Sequence, residues 1–473
     1  MASYEQILKR VLIKIKPSEK EEKRIKELSN RILAIANEEA AKYEGKAILA
    51  GSLTRDTWLP NKNEIDVFIL FPKTFSKEKL EEVGLKLGKI IVERLQGKWK
   101  VEYAQHPYIR GVINKIQVDL VPCYHLSPGE KIISAVDRTQ FHVDYLNKKL
   151  PEKLSDDVRL LKQLLKANGL YGADSKTSGF SGYLCELLII NYGSFIDLLK
   201  SACQWKVKEI IDIENLWKQQ DYHHLKKKFK DEILIVIDPV DKERNVASPL
   251  SVEVFYKFKK IANQFIKSPD ESIFFKQKEA KLTPSEFDKY LKNRGTEIIA
   301  VVFKPPKIVP DILWPQLRKA TKRLEAILRE YEFVTLRSDC WTDEKNLAVI
   351  ILEMQVGELP KIDKIKGPLV FDEKNANNFA KKHEKDAITG PFIEDVYWFV
   401  EVNRKWTTAK TKLIDSLSEK EKILMDKGIP NYIAKQIAGG FKILSEDGLK
   451  KLLNNKEFAI FMKKYFEKEN LFI

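Results

Sequence analysis

The residues best suited to chemistry lie near the start of the chain, in Gly51-Ser52-Leu53-Thr54-Arg55-Asp56 and, shortly after, Glu64-Ile65-Asp66. In an extended strand residues two apart share a face, so the Glu64 and Asp66 carboxylates project side by side. Two such neighbours repel one another unless a cation lies between them. Asp119, in Gln117-Val118-Asp119-Leu120-Val121-Pro122, is a third acid inside an apolar run. A buried aspartate is costly unless it is paired, hydrogen-bonded or metal-bound. Three carboxylates on neighbouring strands form a donor set for two Mg2+ ions, one at an attacking hydroxyl and one at a leaving pyrophosphate. Gly51 and Ser52 supply the complement, backbone N–H groups and a hydroxyl that approach phosphates. Arg55 adds positive charge for the same phosphates. A Gly-Ser turn or a Glu-x-Asp pair alone is commonplace. Their ordered combination with a third acid in an apolar strand points to metal-dependent nucleotidyl transfer.

These side chains need a rigid support, and the surrounding pattern predicts one. Ser18 and Glu21 have capping-box spacing ahead of a helix over 19–40, with Ile25, Leu28, Ile32 and Ile35 on one face. Strands are predicted at 46–50, ending in the Gly-Ser turn, and at 65–70, stopped by Phe71-Pro72. A helix over 77–96 and strands at 100–104 and 115–122 complete a mixed α/β head. From 151 to 265 the pattern is mainly helical, clearest over 156–168 and 181–201, and an apolar run at 233–237 closes in Asp238-Pro239-Val240-Asp241. Further on, a strand at 297–303, a helix at 312–331 and strands at 333–337, 347–354 and 396–402 suggest a small ferredoxin-like or RRM-like sheet. Lysine-rich helices follow from Leu417. The expected class is a multidomain α+β protein: a catalytic head over 1–150, a helical neck over 151–270, and a body and tail over 271–473.

With 473 residues, 44% hydrophobic and 32% charged, the composition is that of a globular protein. A net charge of +15 favours polyanionic partners, because neutralising phosphates releases counterions. The four cysteines, Cys123, Cys185, Cys203 and Cys340, form no C-x-x-C pair, which argues against a zinc module or disulfide framework and suits a reducing cytoplasm. The most apolar stretch, Tyr183 to Ala202, contains Glu186 and Asp197, so it is expected to be a buried helix and not a membrane crossing.

Beyond the carboxylates, the run Val158 to Ala173, the run Gly179 to Leu188 and the block Asp238-Pro-Val-Asp-Lys-Glu-Arg-Asn-Val-Ala247 complete a recognisable set. Together they resemble the archaeal, class I CCA-adding enzymes of the polymerase-beta-type nucleotidyltransferase superfamily. That resemblance implies a polymerase-beta-like head, a neck that recognises the base, and addition of C, C and A to tRNA 3′ ends from CTP and ATP without a template. By position, Glu64, Asp66 and Asp119 become the Mg2+ ligands, and Gly51, Ser52 and Arg55 contact the triphosphate. His142, Lys162 and Tyr171 become further nucleotide contacts, and Arg244 helps to read the incoming base. Leu53 and Asp56 depart from the family pattern, where a small or aromatic residue and a glycine are expected.

The resemblance also implies tRNA bound through its acceptor and T arms, and a homodimer. Lys304, Lys307, Arg318, Lys319, Lys322 and Arg323 lie near Trp314, with Arg318, Lys322 and Arg329 close to one helical stripe suited to a phosphate backbone. Trp398, Arg404, Lys405 and Trp406, with Lys410 and Lys412, form a second basic and aromatic patch. No run resembles an RNP1 motif, so bases stacked on the sheet face are not expected. Two alternatives share these features: a poly(A) polymerase or other terminal transferase, and a catalytically inactive RNA-binding homologue.

Overall fold

The structure is a computed structural model and describes residues 4–60, 64–103, 106–127, 130 and 132–472. Contacts divide the chain into two units, one running to Gln277 and one spanning Lys278–Asn470.

In the first unit, α1 (Tyr4–Ile15) and α2 (Glu19–Ala41) lead into β1 (Lys46–Ala50), a 3-10 turn (Gly51–Arg55) and β2 (Glu64–Phe71). Then come α3 (Lys77–Arg94), β3 (Lys98–Tyr103), β4 (Pro107–Ile113), β5 (Ile116–Tyr124) and α4 (Arg138–Lys149). The Ser18 hydroxyl accepts the Glu21 N–H, capping α2 where the sequence predicts it. The five strands form one sheet in the order β1-β2-β5-β4-β3. Ile65, Val67 and Ile69 of β2, with Val118 and Leu120 of β5, bury one sheet face against Ile25, Leu28 and Ile32 of α2 and Leu80, Leu87 and Ile91 of α3. Strand alternation therefore turns Glu64, Asp66 and Asp119 onto the other face. The β2–β5 pairing is parallel and sets Asp66 directly beside Asp119.

Strand β4 has no counterpart among the strands expected from the sequence pattern. That strand meets β5 through Asn114 and Lys115, both at positive φ (50° and 67°), in a two-residue hairpin loop. Such loops usually announce themselves by Asn-Gly, and here lysine takes the glycine position. The expected end of β3 at Ala104 falls outside the described residues.

The neck follows with α5 (Ser155–Ala167), α6 (Gly182–Tyr192), α7 (Phe195–Gln204), β6 (Glu209–Ile211), α8 (Tyr222–Lys228), β7 (Leu234–Asp238), β8 (Asp241–Asn245) and α9 (Val252–Lys267). The single helix expected over 181–201 is two helices meeting at 92°. Gly193 ends α6 with φ 78°, and Ser194 caps α7 by accepting the Asp197 N–H at 3.0 Å. Both helices bury their apolar residues in the neck core. Among the described residues no single helix is long and apolar enough to cross a membrane. That core also takes Ile7, Val11 and Ile15 of α1, a helix absent from the sequence reading, so the chain's first helix packs with the neck and not the head.

The second unit contains α10 (Pro284–Arg294), β9 (Glu297–Phe303), α11 (Pro310–Arg329), β10 (Val334–Thr342), β11 (Ala348–Val356), β12 (Ile362–Leu369), α12 (Glu373–His383), β13 (Ala387–Glu394) and β14 (Tyr397–Asn403). It ends with α13 (Ala409–Leu417), α14 (Glu421–Asp426), α15 (Asn431–Ala438), β15 (Phe441–Leu444), α16 (Glu446–Leu452) and α17 (Lys456–Phe466). The sheet β10-β11-β9-β15 has the strand order of a ferredoxin-like fold. Its fourth strand is β15, inside the lysine-rich tail. The strand expected at 396–402 forms instead as β14, the centre of a separate sheet, β12-β14-β13.

Candidate active site

Glu64, Asp66 and Phe68 line a cavity of about 370 Å³ whose other walls come from the Gly51–Arg55 turn and from α4, α5 and α6. The β1–β2 register sets Ala50 opposite Asp66, so the chain leaves β1 into the turn beside the carboxylates. Gly51 has φ 74°, and Thr54 Oγ1 donates to the Gly51 carbonyl at 3.0 Å, tightening the turn. Asp56 closes it at φ 51°, a left-handed backbone that explains the glycine expected there. The Asp56 carboxylate is held by buried Arg159.

Arg55 and Lys162 both reach the cavity, yet neither stands alone. Each is ion-paired at 3.0 Å to Glu186, and all three side chains are almost wholly buried. Thr57 Oγ1 donates to Glu186 Oε1 at 2.6 Å and accepts from Lys162 at 3.0 Å. Burial would raise the Glu186 carboxyl, but Lys162 and then Arg55 hold it below its usual range. Two cations around one carboxylate leave an excess positive charge in the wall. Arg55 Nε is also buried and has no partner among the described residues, a donor suited to an anionic ligand.

Behind His142 and Tyr183 of the cavity lining, Asp238 at the end of β7 is fully buried and gathers three side chains. His142 Nε2 lies 2.9 Å from Oδ2, Arg244 Nη1 donates to the same oxygen at 2.7 Å, and the Tyr183 hydroxyl donates to Oδ1 at 3.0 Å. Burial works against the charge on Asp238, but His142 and Arg244 outweigh it and hold the carboxyl down at about 2. The His142 and Tyr183 rings stack with centroids 4.1 Å apart. Burial and the neighbouring Asp238 raise the Tyr183 phenol, so it stays a donor.

Tyr171, which also lines this cavity, lies between Gly169 and Gly172, both at positive φ. It also lines an adjoining cavity of 560 Å³, which shares Ser52, Glu64 and Lys162 and adds Lys115 and Lys166. A methyl group on Gly182 would meet the Tyr171 hydroxyl at 3.1 Å and the end of Lys162 at 3.9–4.0 Å, so this glycine gives both side chains their room.

Of the expected acids, Glu64 and Asp66 face the cavity, whereas Asp119 is engaged elsewhere. Arg110 on β4 binds it through Nε to Oδ1 at 2.8 Å and Nη2 to Oδ2 at 2.7 Å. The donor types suit a hard divalent cation. As the side chains stand, no three His, Cys, Asp or Glu residues among those described gather into a metal-holding group. Arg110, Glu186, Tyr183 and Asp238 are absent from the site expected from sequence. Glu186 carried a signal, an acid inside an apolar helix. Asp238 closed an apolar strand in a block already singled out. Arg110 was hidden with its strand.

In the second unit Arg318, Lys319, Lys322 and Arg329 are exposed on α11, while Arg323 is tied to Glu330. Trp314 is buried and its N–H bonds Glu344. In the other patch Arg404 pairs with Glu332 and Asp363, and Lys412 is buried between the rings of Tyr331 and Trp406. Those two cations hold the fold together.

Sequence comparison supplies the family. Residues 29–142 match a nucleotidyltransferase domain, 156–275 the second domain of tRNA nucleotidyltransferases, and 294–446 the C-terminal domain of CCA-adding enzymes. The CCA-adding enzyme of Methanocaldococcus jannaschii is 42% identical over 91% of this chain and 94% of its own. That of Archaeoglobus fulgidus is 37% identical over 85% and 87%, and that of Methanosarcina acetivorans 35% over 96% and 97%. The identity runs through head, neck and second unit alike, and this chain belongs to the archaeal CCA-adding enzymes, a family of nucleotidyltransferases.

Proposed function

We propose that the protein adds C, C and A to tRNA 3′ ends from CTP and ATP without a template, releasing pyrophosphate. The observation that carries this reading is the single cavity in which Glu64 and Asp66 face the Gly51–Arg55 turn and the Lys162–Glu186–Arg55 cluster. In this reading Gly51, Ser52, Arg55 and Lys162 bind the triphosphate, with Glu186 holding the two cations in place. His142, Tyr171 and Arg244 contact the nucleoside, and Asp238 fixes the orientation of His142 and Arg244. With no template, the shape and donors of this wall must select the base together with the growing 3′ end. Tyr171, Lys115 and Lys166 make the adjoining cavity a fitting place for the tRNA terminus.

Glu64, Asp66 and Asp119 would hold the divalent metal, read here as a pair of Mg2+ ions. When bound, these would supply Lewis-acid stabilisation at the attacking hydroxyl and the departing pyrophosphate. Arg318, Lys319, Lys322 and Arg329 present an exposed stripe for the acceptor and T arms. A cytoplasmic homodimer completes the reading, and light scattering at working concentration tests its oligomeric part.

The experiment for the activity is incorporation of labelled CTP and ATP into tRNA lacking its terminal CCA, with products sequenced. Three added residues, in the order C, C, A, are expected. Absence of CTP incorporation overturns the proposal, and unlimited A addition makes the protein a poly(A) polymerase.

A further inference from the structure

Both carboxylate oxygens of Asp119 are already taken. It stands beside Asp66 in the parallel β2–β5 register and opposite Arg110 in the antiparallel β4–β5 register. Arg110 grips it with a two-pronged fork, at 2.8 and 2.7 Å. Gln117 Nε2 adds a longer contact to Oδ1, at 3.4 Å. The arginine is itself steadied: Nη2 also donates to the Tyr108 hydroxyl at 2.8 Å, and the guanidinium lies 5.6 Å from that ring's centroid. A bidentate arginine takes one lone pair on each carboxylate oxygen and offsets the charge that would attract a metal. Arg110 and a cation shared with Asp66 therefore compete for the same oxygens.

We propose that Arg110 is the exchangeable counter-ion of Asp119: it holds the third acid closed in the free enzyme, and the metal site is completed when Asp119 leaves the fork. Arg110 is then a positioning residue that acts through Asp119. The exchange is feasible because the pair is not sealed in. The side chains are 28% and 15% exposed, so water can take up the released guanidinium. In the free enzyme the fork spares Asp66 and Asp119, neighbours in register, from facing each other as bare charges. It also makes metal binding weak until a substrate's phosphates share the cation.

The proposal rests on the metal-site reading above, so the test separates the two. Mn2+ binding to the full-length protein, without nucleotide or tRNA, is titrated by the loss of the free-ion EPR signal. Removing a charged bidentate competitor should raise Mn2+ affinity by about tenfold or more in Arg110→Gln. Arg110→Lys, which keeps the charge and the strand but loses the fork, should fall between that variant and the wild type. The gain should vanish when Arg110→Gln is combined with Asp119→Asn. A role confined to bracing the sheet would leave affinity equal or lower in both variants, and that result overturns the proposal. Should Arg110→Gln fail to fold, Arg110→Lys alone decides, by a gain or its absence. Mn2+ binding insensitive to Asp66→Asn would instead overturn the metal-site reading itself.

Discussion

Glu186 is the residue on which most of the phosphate wall depends. Its removal leaves Arg55 and Lys162 buried and facing one another with no anion between them. Breaking a buried pair in this way costs about 3–5 kcal/mol, so Glu186→Gln should lower unfolding stability by that order. Urea denaturation checks it, and a loss under about 1 kcal/mol would show that the cluster is not coupled as its geometry indicates. Asp238 makes a pH-dependent contribution. Its folded-state carboxyl lies at about 2, below the unfolded value, so the stabilisation is fully present above about pH 4 and lost as pH falls toward 2. The amount is ~2 kcal/mol. Stability curves of wild type and Asp238→Asn should therefore converge between pH 4 and 2, and parallel curves would contradict the assignment. At this scale the sequence exposed the acids whose spacing is a strand's. Glu64 and Asp66 do share a face, as strand alternation requires. Glu186 and Asp238 act through partners far away in the chain, and pairing across 131 residues, as between Arg55 and Glu186, leaves no local pattern. Arg110 meets Asp119 only nine residues on, but across a hairpin whose turn carries no Asn-Gly signal.

Elements set the tolerances within which those residues work. Gly182 opens α6 where the Tyr171 hydroxyl and Lys162 pass, and an added methyl would press on the hydroxyl at 3.1 Å. Gly182→Ala should raise the KM for nucleotide several-fold and leave the Tm within about 2 °C, because alanine suits a first helical turn. An unchanged KM with a lowered Tm would make the glycine purely structural. Several elements were legible because their signals are local. Ser18 caps α2, and β1 ends at the Gly-Ser turn as the apolar run predicts. The break between α6 and α7 was not read, because Gly193-Ser194 sits inside a run apolar enough to look continuous, although a left-handed glycine and a serine cap are ordinary stop and start signals. Strand β15 escaped because its four residues pair only with β9, distant in the chain.

For the whole molecule, charge is the property most readily tested. A net charge of +15, with an exposed cationic stripe on α11, predicts that tRNA binding weakens steeply with salt. If six or more phosphates are neutralised, affinity should fall on the order of 10³-fold between 50 and 200 mM salt, measured by filter binding. A flat dependence would remove the charge argument for RNA. The broad class was readable from composition and strand–helix order, including the ferredoxin-like sheet. The packing of α1 with the neck was not, since an amphipathic helix does not name the core it joins. The central claim is that the face carrying Glu64 and Asp66 performs nucleotidyl transfer on tRNA. It is tested most directly by Asp66→Ala, with incorporation of CTP and ATP and affinity for tRNA lacking CCA measured on the same preparation. Incorporation is expected to fall at least about 10³-fold with tRNA affinity within about threefold of wild type. Incorporation at wild-type rate in the variant would contradict it.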